Sequence, residues 1–127
     1  MVRFIVAFLL AAVNCPEISA QLSSGEYYKS AKVKYDDGKY DESIDFLDKA
    51  INADSTFESA YLLRGCALLA LEKYSMAIDD FSHVIDRRKI IDPSLSDYHF
   101  FRGLARTEIK EYFSAEKDFA MAIRLKP

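Results

Sequence analysis

Three phrases in this 127-residue chain repeat one another: "GKYDESIDFLDKAI" from Gly38, "EKYSMAIDDFSHVI" from Glu72 and "KEYFSAEKDFAMAI" from Lys110. Tyr40, Tyr74 and Tyr112 align. So do Ser43, Ala77 and Ala115, then Leu47, Phe81 and Phe119, then Ile51, Ile85 and Ile123. Spacings of four between these last sets place one small and two large apolar residues along a single helical stripe. The stripe recurs three times, so whatever the chain folds into is built from three similar helical pieces.

A second stripe precedes each phrase: Tyr27, Ala31 and Lys34; Tyr61, Gly65 and Leu68; His99, Gly103 and Arg106. A small residue four positions after a ring lets another helix come close. Gly costs about 1 kcal/mol relative to Ala inside a helix, so Gly65 and Gly103 need a packing reason, and close helix–helix contact supplies one. The chain thus reads as three helical hairpins, each an A helix followed by a B helix that opens on a tyrosine. The tyrosines are offset by 34 and then 38 residues, and a helix–turn–helix period near that value points to a solenoid.

These units resemble tetratricopeptide repeats, whose pattern joins an aromatic, Leu-Gly, a tyrosine, an Ala followed four later by Phe, and a closing Pro. The second unit supplies Tyr61, Gly65, Leu68, Ala77 and Phe81, and the third supplies Gly103, Ala115, Phe119 and Pro127. The first matches least, with Ala31, Ser43 and Leu47, and with Ser55 in place of Pro. Arg64 and Arg102 replace the leucine before the glycine, and His99 replaces the first aromatic. The resemblance implies an all-α, right-handed α-solenoid of three repeats, at about 24–57, 58–95 and 96–127.

In "YDDGKYDE" four carboxylates crowd Gly38. A calcium loop needs alternating oxygen ligands before its glycine and a glutamate six residues after it. Here Asp36 and Asp37 are adjacent and position 44 is Ile. The stretch reads instead as a bend, with Gly38 in the left-handed conformation that ends a helix and carboxylates at the next helix's N-terminus. Ser23 with Glu26, and Ser55 with Glu58, have capping-box spacing before the first two A helices. Ser94 is the expected N-cap of the third. Pro93 lies 34 residues before Pro127, which assigns the four extra residues to the end of the second B helix, near "DRRKII". They would lengthen it by roughly one turn, about 6 Å. Arg87, Arg88 and Lys89 would then complement a helix C-terminus and face water.

Residues 1–20 read differently. Arg3 precedes an unbroken apolar run from Phe4 to Val13, and "EISA" ends on a small residue. That is the layout of a secretory signal peptide cleaved after Ala20, giving an exported chain, periplasmic or secreted. The alternatives are a lipid anchor on Cys15, which Asn14 in place of a preceding Gly or Ala argues against, and an uncleaved anchor. For the latter the run falls short of the roughly 20 residues that cross a bilayer, so no stable membrane span is expected after cleavage. Loss of Arg3 and Glu17 together leaves the net charge of −3 unchanged. A weakly acidic domain over 21–127 has no electrostatic reason to hold nucleic acid or anionic lipid. Cys66 would be its only thiol, which excludes an internal disulfide there.

No catalytic constellation, metal site or cofactor motif emerges. His83 aligns with Lys49 and Met121, a variable position expected at the surface, and His99 aligns with the rings of Tyr27 and Tyr61. Neither has ligand partners at metal spacing. Cys66 lacks a base nearby in sequence. Asp79 and Asp80, adjacent on a helix, point about 100° apart and cannot share one proton. The expectation is a non-enzymatic module that binds another protein.

The resemblance assigns the binding groove to the A helices. Its candidate residues are Tyr28, Lys32, Tyr35, Leu62, Leu63, Cys66, Leu69, Phe100, Phe101 and Leu104, an apolar and aromatic row with one cation. Part of that row is expected only to seal neighbouring helices. A clamp for an acidic C-terminal tail, one use of this family, is not expected: the aligned positions hold Tyr28, Lys32, Leu63, Asp97 and Phe101, and Asp97 would repel a carboxylate. Terminal repeats need a polar outer face. Phe119, Ala122, Ile123 and Leu125 are therefore expected to stay partly uncovered, as a self-association end of a homo-oligomer or as the continuation point of a longer array.

Overall fold

A computed structural model describes residues 21–127, and the signal-peptide reading of residues 1–20 lies outside that range. The described chain forms six α-helices: α1 (Ser24–Asp36), α2 (Tyr40–Ala53), α3 (Glu58–Ala70), α4 (Tyr74–Arg87), α5 (Ser96–Glu108) and α6 (Tyr112–Leu125), with a 3-10 turn at Pro93–Leu95 before α5. No strand occurs among the described residues. Each helix packs on its chain neighbours, and the A helices α1, α3 and α5 also touch in succession. This is an α-solenoid of helix–turn–helix units.

The three A–B turns are one motif written three times. The amides of Lys39, Lys73 and Glu111 reach back five residues to the carbonyls of Lys34, Leu68 and Arg106 at 2.8–2.9 Å. Such closure requires a left-handed residue just before each donor. Gly38 takes it at φ +74°, as its sequence position implies, but Glu72 (+60°) and Lys110 (+66°) take it with side chains that disfavour it.

The crossing within each hairpin explains the glycines. A methyl built on Gly65 would lie 2.5 Å from Cε1 of Phe81, and one on Gly103 would lie 2.8 Å from Cε1 of Phe119. The first hairpin divides the same space differently, with Ala31 and Leu47 both fully buried. There Ser43, at the small-residue position of α2, donates its hydroxyl to the Ala31 carbonyl at 2.8 Å. The central core gathers Tyr61, Leu68, Ala77, Phe81, Val84, Leu95, Tyr98 and Leu125 from α3 through α6.

Three expectations about helix ends are corrected. The Ser23–Glu26 capping box is present in both directions, but Ser55 caps nothing. Asp54 does the local work, accepting from the Thr56 amide at 2.9 Å. Ser94 is likewise not an N-cap: its amide donates to Asp92 Oδ1 at 2.9 Å inside the 3-10 turn, and α5 starts at Ser96. Most consequentially, the four extra residues do not lengthen the second B helix. α2, α4 and α6 each span 14 residues. The chain turns extended at Arg88, whose guanidinium grips Glu58 (2.6 and 2.8 Å) and Asp92 (2.8 Å) rather than facing water. Two β-branched isoleucines and Pro93 then favour the extended path.

That loop produces a further correction. The turn it ends in packs on both α5 and α6, bringing Leu95 into the same cluster as Leu125. Ala122 and Leu125 are consequently buried, with the Ala122 carbonyl accepting from Ser96 Oγ at 3.0 Å. Of the four residues expected to be partly uncovered, only Ile123 is exposed, and Phe119 is half-buried.

Candidate protein-binding face

The helical spacings of four and three put Tyr28, Lys32 and Tyr35 on one line of α1, Leu62, Cys66 and Leu69 on one line of α3, and Phe100, Leu104 and Thr107 on one line of α5. Burial sorts this row into two groups. Leu62, Cys66, Leu69 and Phe101 are half-buried against the central core, and Tyr28 and Leu63 pack on the smaller cluster around Ala31 and Leu47. Rings continue the seal: Tyr28 meets Phe57 at 5.1 Å, and Phe101 lies between Phe81 (6.1 Å) and Phe100 (5.3 Å). Phe100 and Leu104, by contrast, stay 44% and 39% exposed. Lys32 is exposed and only loosely paired with Asp36 at 4.0 Å.

Burial pushes the Cys66 thiol up to about 12, with the Asp97 charge adding to it, so the sulfur stays a protonated apolar group. Burial likewise raises the Tyr35 hydroxyl. No group of three or more potential metal ligands clusters among the described residues. His83 is exposed and stacks on Tyr61 at 4.3 Å, and His99 packs in α5 with Nδ1 3.1 Å from Asp118 Oδ1.

Sequence reasoning missed the polar frame beside this face. Arg64 holds Asp80 through Nε (2.9 Å) and Nη2 (2.7 Å) and reaches Asp48 of the preceding hairpin through Nη1 (2.8 Å). Arg102 repeats the arrangement, with Asp118 at 3.0 and 2.7 Å and Ser82 of the preceding hairpin at 3.0 Å. Arg106 adds a bond to Asp118 at 2.7 Å. Arg64 and Arg102 each therefore tie their own B helix to the previous one. The signal was present: Arg64–Asp80 and Arg102–Asp118 share the separation of 16 that joins Gly65 to Phe81 and Gly103 to Phe119.

The two aspartates respond oppositely to similar partners. Burial pushes Asp118 up, but the His99 and Arg102 hydrogen bonds and the charges of Arg102 and Arg106 outweigh it and hold the carboxyl at about 2. Burial also pushes Asp80 up, and there Arg64 offsets it only in part, with Asp48 and Asp79 adding like charge.

A tetratricopeptide repeat model matches this sequence twice in succession, over residues 27–57 and 58–90, about half of the chain. The chain belongs to the tetratricopeptide repeat family. Solved structures of such domains superpose on it. The first repeat domain of Spaghetti (RPAP3), bound to the HSP90 peptide SRMEEVD, shares 25% identity over 82% of this chain and 79% of that one, with a TM-score of 0.76. The second domain of human RPAP3, in complex with the HSP70 peptide SGPTIEEVD, shares 28% identity over 80% and 81%, with a TM-score of 0.71. The Yersinia enterocolitica type III secretion translocator chaperone SycD is 21% identical over 82% and 78%, with a TM-score of 0.72, and shows the fold alone. No curated protein matches this chain. Tetratricopeptide domains similar to this one thus hold peptides of partner proteins.

Proposed function

We propose that this tetratricopeptide protein is a non-enzymatic adaptor that holds a peptide or helical segment of a partner protein against the A-helix face. The carrying observation is the exposure of Phe100 and Leu104 in line with the half-buried rings and aliphatics of α1 and α3. Large apolar side chains displayed on a concave or grooved helical surface favour an apolar segment docking there. The two peptide-bound relatives support the mode of binding, though their peptides both end in EEVD. This face offers such a tail Lys32 beside Asp36, and Asp97 at the far side. An apolar ligand fits it better than an acidic tail.

The test uses residues whose loss does not open the core. Phe100→Glu with Leu104→Glu is expected to abolish co-purification of partners captured from the native envelope fraction while leaving the helical circular dichroism intact. Undiminished capture would remove the reading. Titration with SRMEEVD adds a second arm: submicromolar binding lost on Lys32→Ala would show that the face is an acidic-tail clamp after all. Export is part of the same proposal, and an N-terminus at Gln21 in the protein recovered from its host, read by mass spectrometry, is the expected result.

A further inference from the structure

The two ends of the solenoid are chemically different. Where α3 buries Ala60, Leu63 and Ala67 wholly or partly, and α5 buries Tyr98, Phe101 and Ala105, the register of α1 presents Glu26, Lys29 and Val33, all exposed. Stacking another copy's α6 on α1 would take Glu26, already occupied with the Ser23 amide at 2.8 Å, and Lys29 out of water at positions where α3 and α5 place apolar side chains. A head-to-tail filament is therefore disfavoured at its first contact.

The outer face of α6 is built otherwise. Phe113 and Ile123 are 72% and 67% exposed, and Ala120 lies exposed between them. Spacings of seven and three put all three on one stripe. This face also departs from the pattern by which one hairpin receives the next. Asp48 and Ser82 accept hydrogen bonds from Arg64 and Arg102 of the following hairpin. Ala120 occupies the same register and has no side-chain acceptor. Ile44 and Ile78, half-buried in the earlier B helices, give way to exposed Glu116. The stripe is poorly suited to another arginine-bearing A helix, yet it is too apolar for a face meant only for water.

We infer that α6 pairs with α6 of a second copy, antiparallel, about a two-fold axis at Ala120. In that register residue i of one helix lies level with residue 240 − i of the other. Ala120 meets its own copy and lets the helices approach closely. Glu116 lies level with Arg124 of the partner subunit, twice by symmetry. Lys117, which sits over the Phe113 ring at 4.4 Å, lies level with Ile123 of the partner subunit and one residue out of level with that same arginine, which offsets part of the attraction. No ion pair among the described residues uses Glu116 or Arg124. An isologous contact of this kind closes at two copies. It leaves the A-helix row of α1 and α3 free.

Sedimentation velocity of the protein purified from cells expressing the full chain, over about 1–100 µM, tests the pairing by mass action. A concentration-dependent dimer is expected, and a monomer throughout overturns the inference. Glu116→Lys alone should weaken the dimer by about tenfold and Arg124→Glu alone by less, because each sets like charges level across the axis but Arg124→Glu also gives Lys117 of the partner subunit an opposite charge. The double reversal restores opposite charges and should return the dimer to near its original strength. A double variant no stronger than the singles overturns the register. A dimer indifferent to Ile123→Glu and Ala120→Arg, with circular dichroism unchanged, overturns the face itself.

Discussion

In the first hairpin Ala31 crosses Leu47, and the positions that flank this pair hold Ser30 and Phe46. In the second and third, Gly65 and Gly103 cross Phe81 and Phe119, and the flanking positions hold Arg64 with Asp80 and Arg102 with Asp118. The crossing shows that the hairpin needs one small and one large residue whose combined bulk fills the gap, and that the division between them is free. The flanking pair shows something else. Arg64 and Arg102 bridge to the preceding B helix as well as their own. The first hairpin has no such helix before it among the described residues, so an arginine there would have only half its partners. The charged frame belongs to stacking, and the small–large crossing belongs to the hairpin.

The largest effect expected from breaking this comparison is at the charged frame. Asp118→Ala leaves Arg102 and Arg106 facing each other without their shared carboxylate, and should cost about 3–5 kcal/mol in urea unfolding. Asp80→Ala should cost less, because Arg64 keeps Asp48 and is less deeply buried than Arg102. Equal losses at the two sites would erase the distinction between them.

Next comes the crossing itself. Gly65→Ala sets a methyl into the Phe81 ring and is expected to cost about 1–3 kcal/mol. Adding Phe81→Leu recreates the first hairpin's pair, so the double variant should recover part of that loss, with a coupling of about 1 kcal/mol in a double-mutant cycle. Strict additivity would show that the bulk of the two residues is not shared.

The carboxylates sharpen the contrast by pH. Asp118 sits at about 2 in the fold against an ordinary 3.8, so its network stabilises the protein above pH ~4 and loses that contribution as pH falls toward 2. The loss is on the order of 2 kcal/mol, and Asp118→Asn should remove this part of the acid dependence. Asp80 runs the other way: its raised value means that the fold disfavours its charge, so acid relieves rather than adds cost at that site. Acid unfolding of Asp80→Asn should therefore come at a higher pH relative to its own neutral stability than that of the unmodified chain.

The smallest effects lie in the turns. Glu72→Gly and Lys110→Gly bring the second and third turns to the chemistry of the first, and each should stabilise by about 0.5–1 kcal/mol, whereas Gly38→Ala should destabilise by about 1 kcal/mol. Thermal melting of the three variants checks the set. A rise on Gly38→Ala would mean that the left-handed turn carries no strain.

Much of this was legible before any coordinates. The stripes from Ser43 to Ile51 and from Tyr61 to Leu68 set helix, face and hairpin, because side chains four apart on a helix share a face wherever the helix is placed. Gly65 and Gly103 pointed to a close crossing, because glycine in mid-helix costs about 1 kcal/mol and close helix–helix contact supplies a reason for it. The Arg–Asp frame was harder to see, although its separation of 16 was in plain view: ion pairing depends on which helices end up adjacent, and charged residues at such spacings are ordinarily solvated. The tertiary structure alone decided how the A-helix row divides between sealing and display, leaving Phe100 and Leu104 open while Leu62 and Phe101 close on the core. It also decided the path of residues 88–92. Arg88 found Glu58 thirty positions earlier, the loop folded back, and Leu95 came to cover Leu125. Periodicity is a property of one helix and survives without neighbours, whereas burial and ion pairing are properties of contacts, and a contact exists only once both sides have been placed.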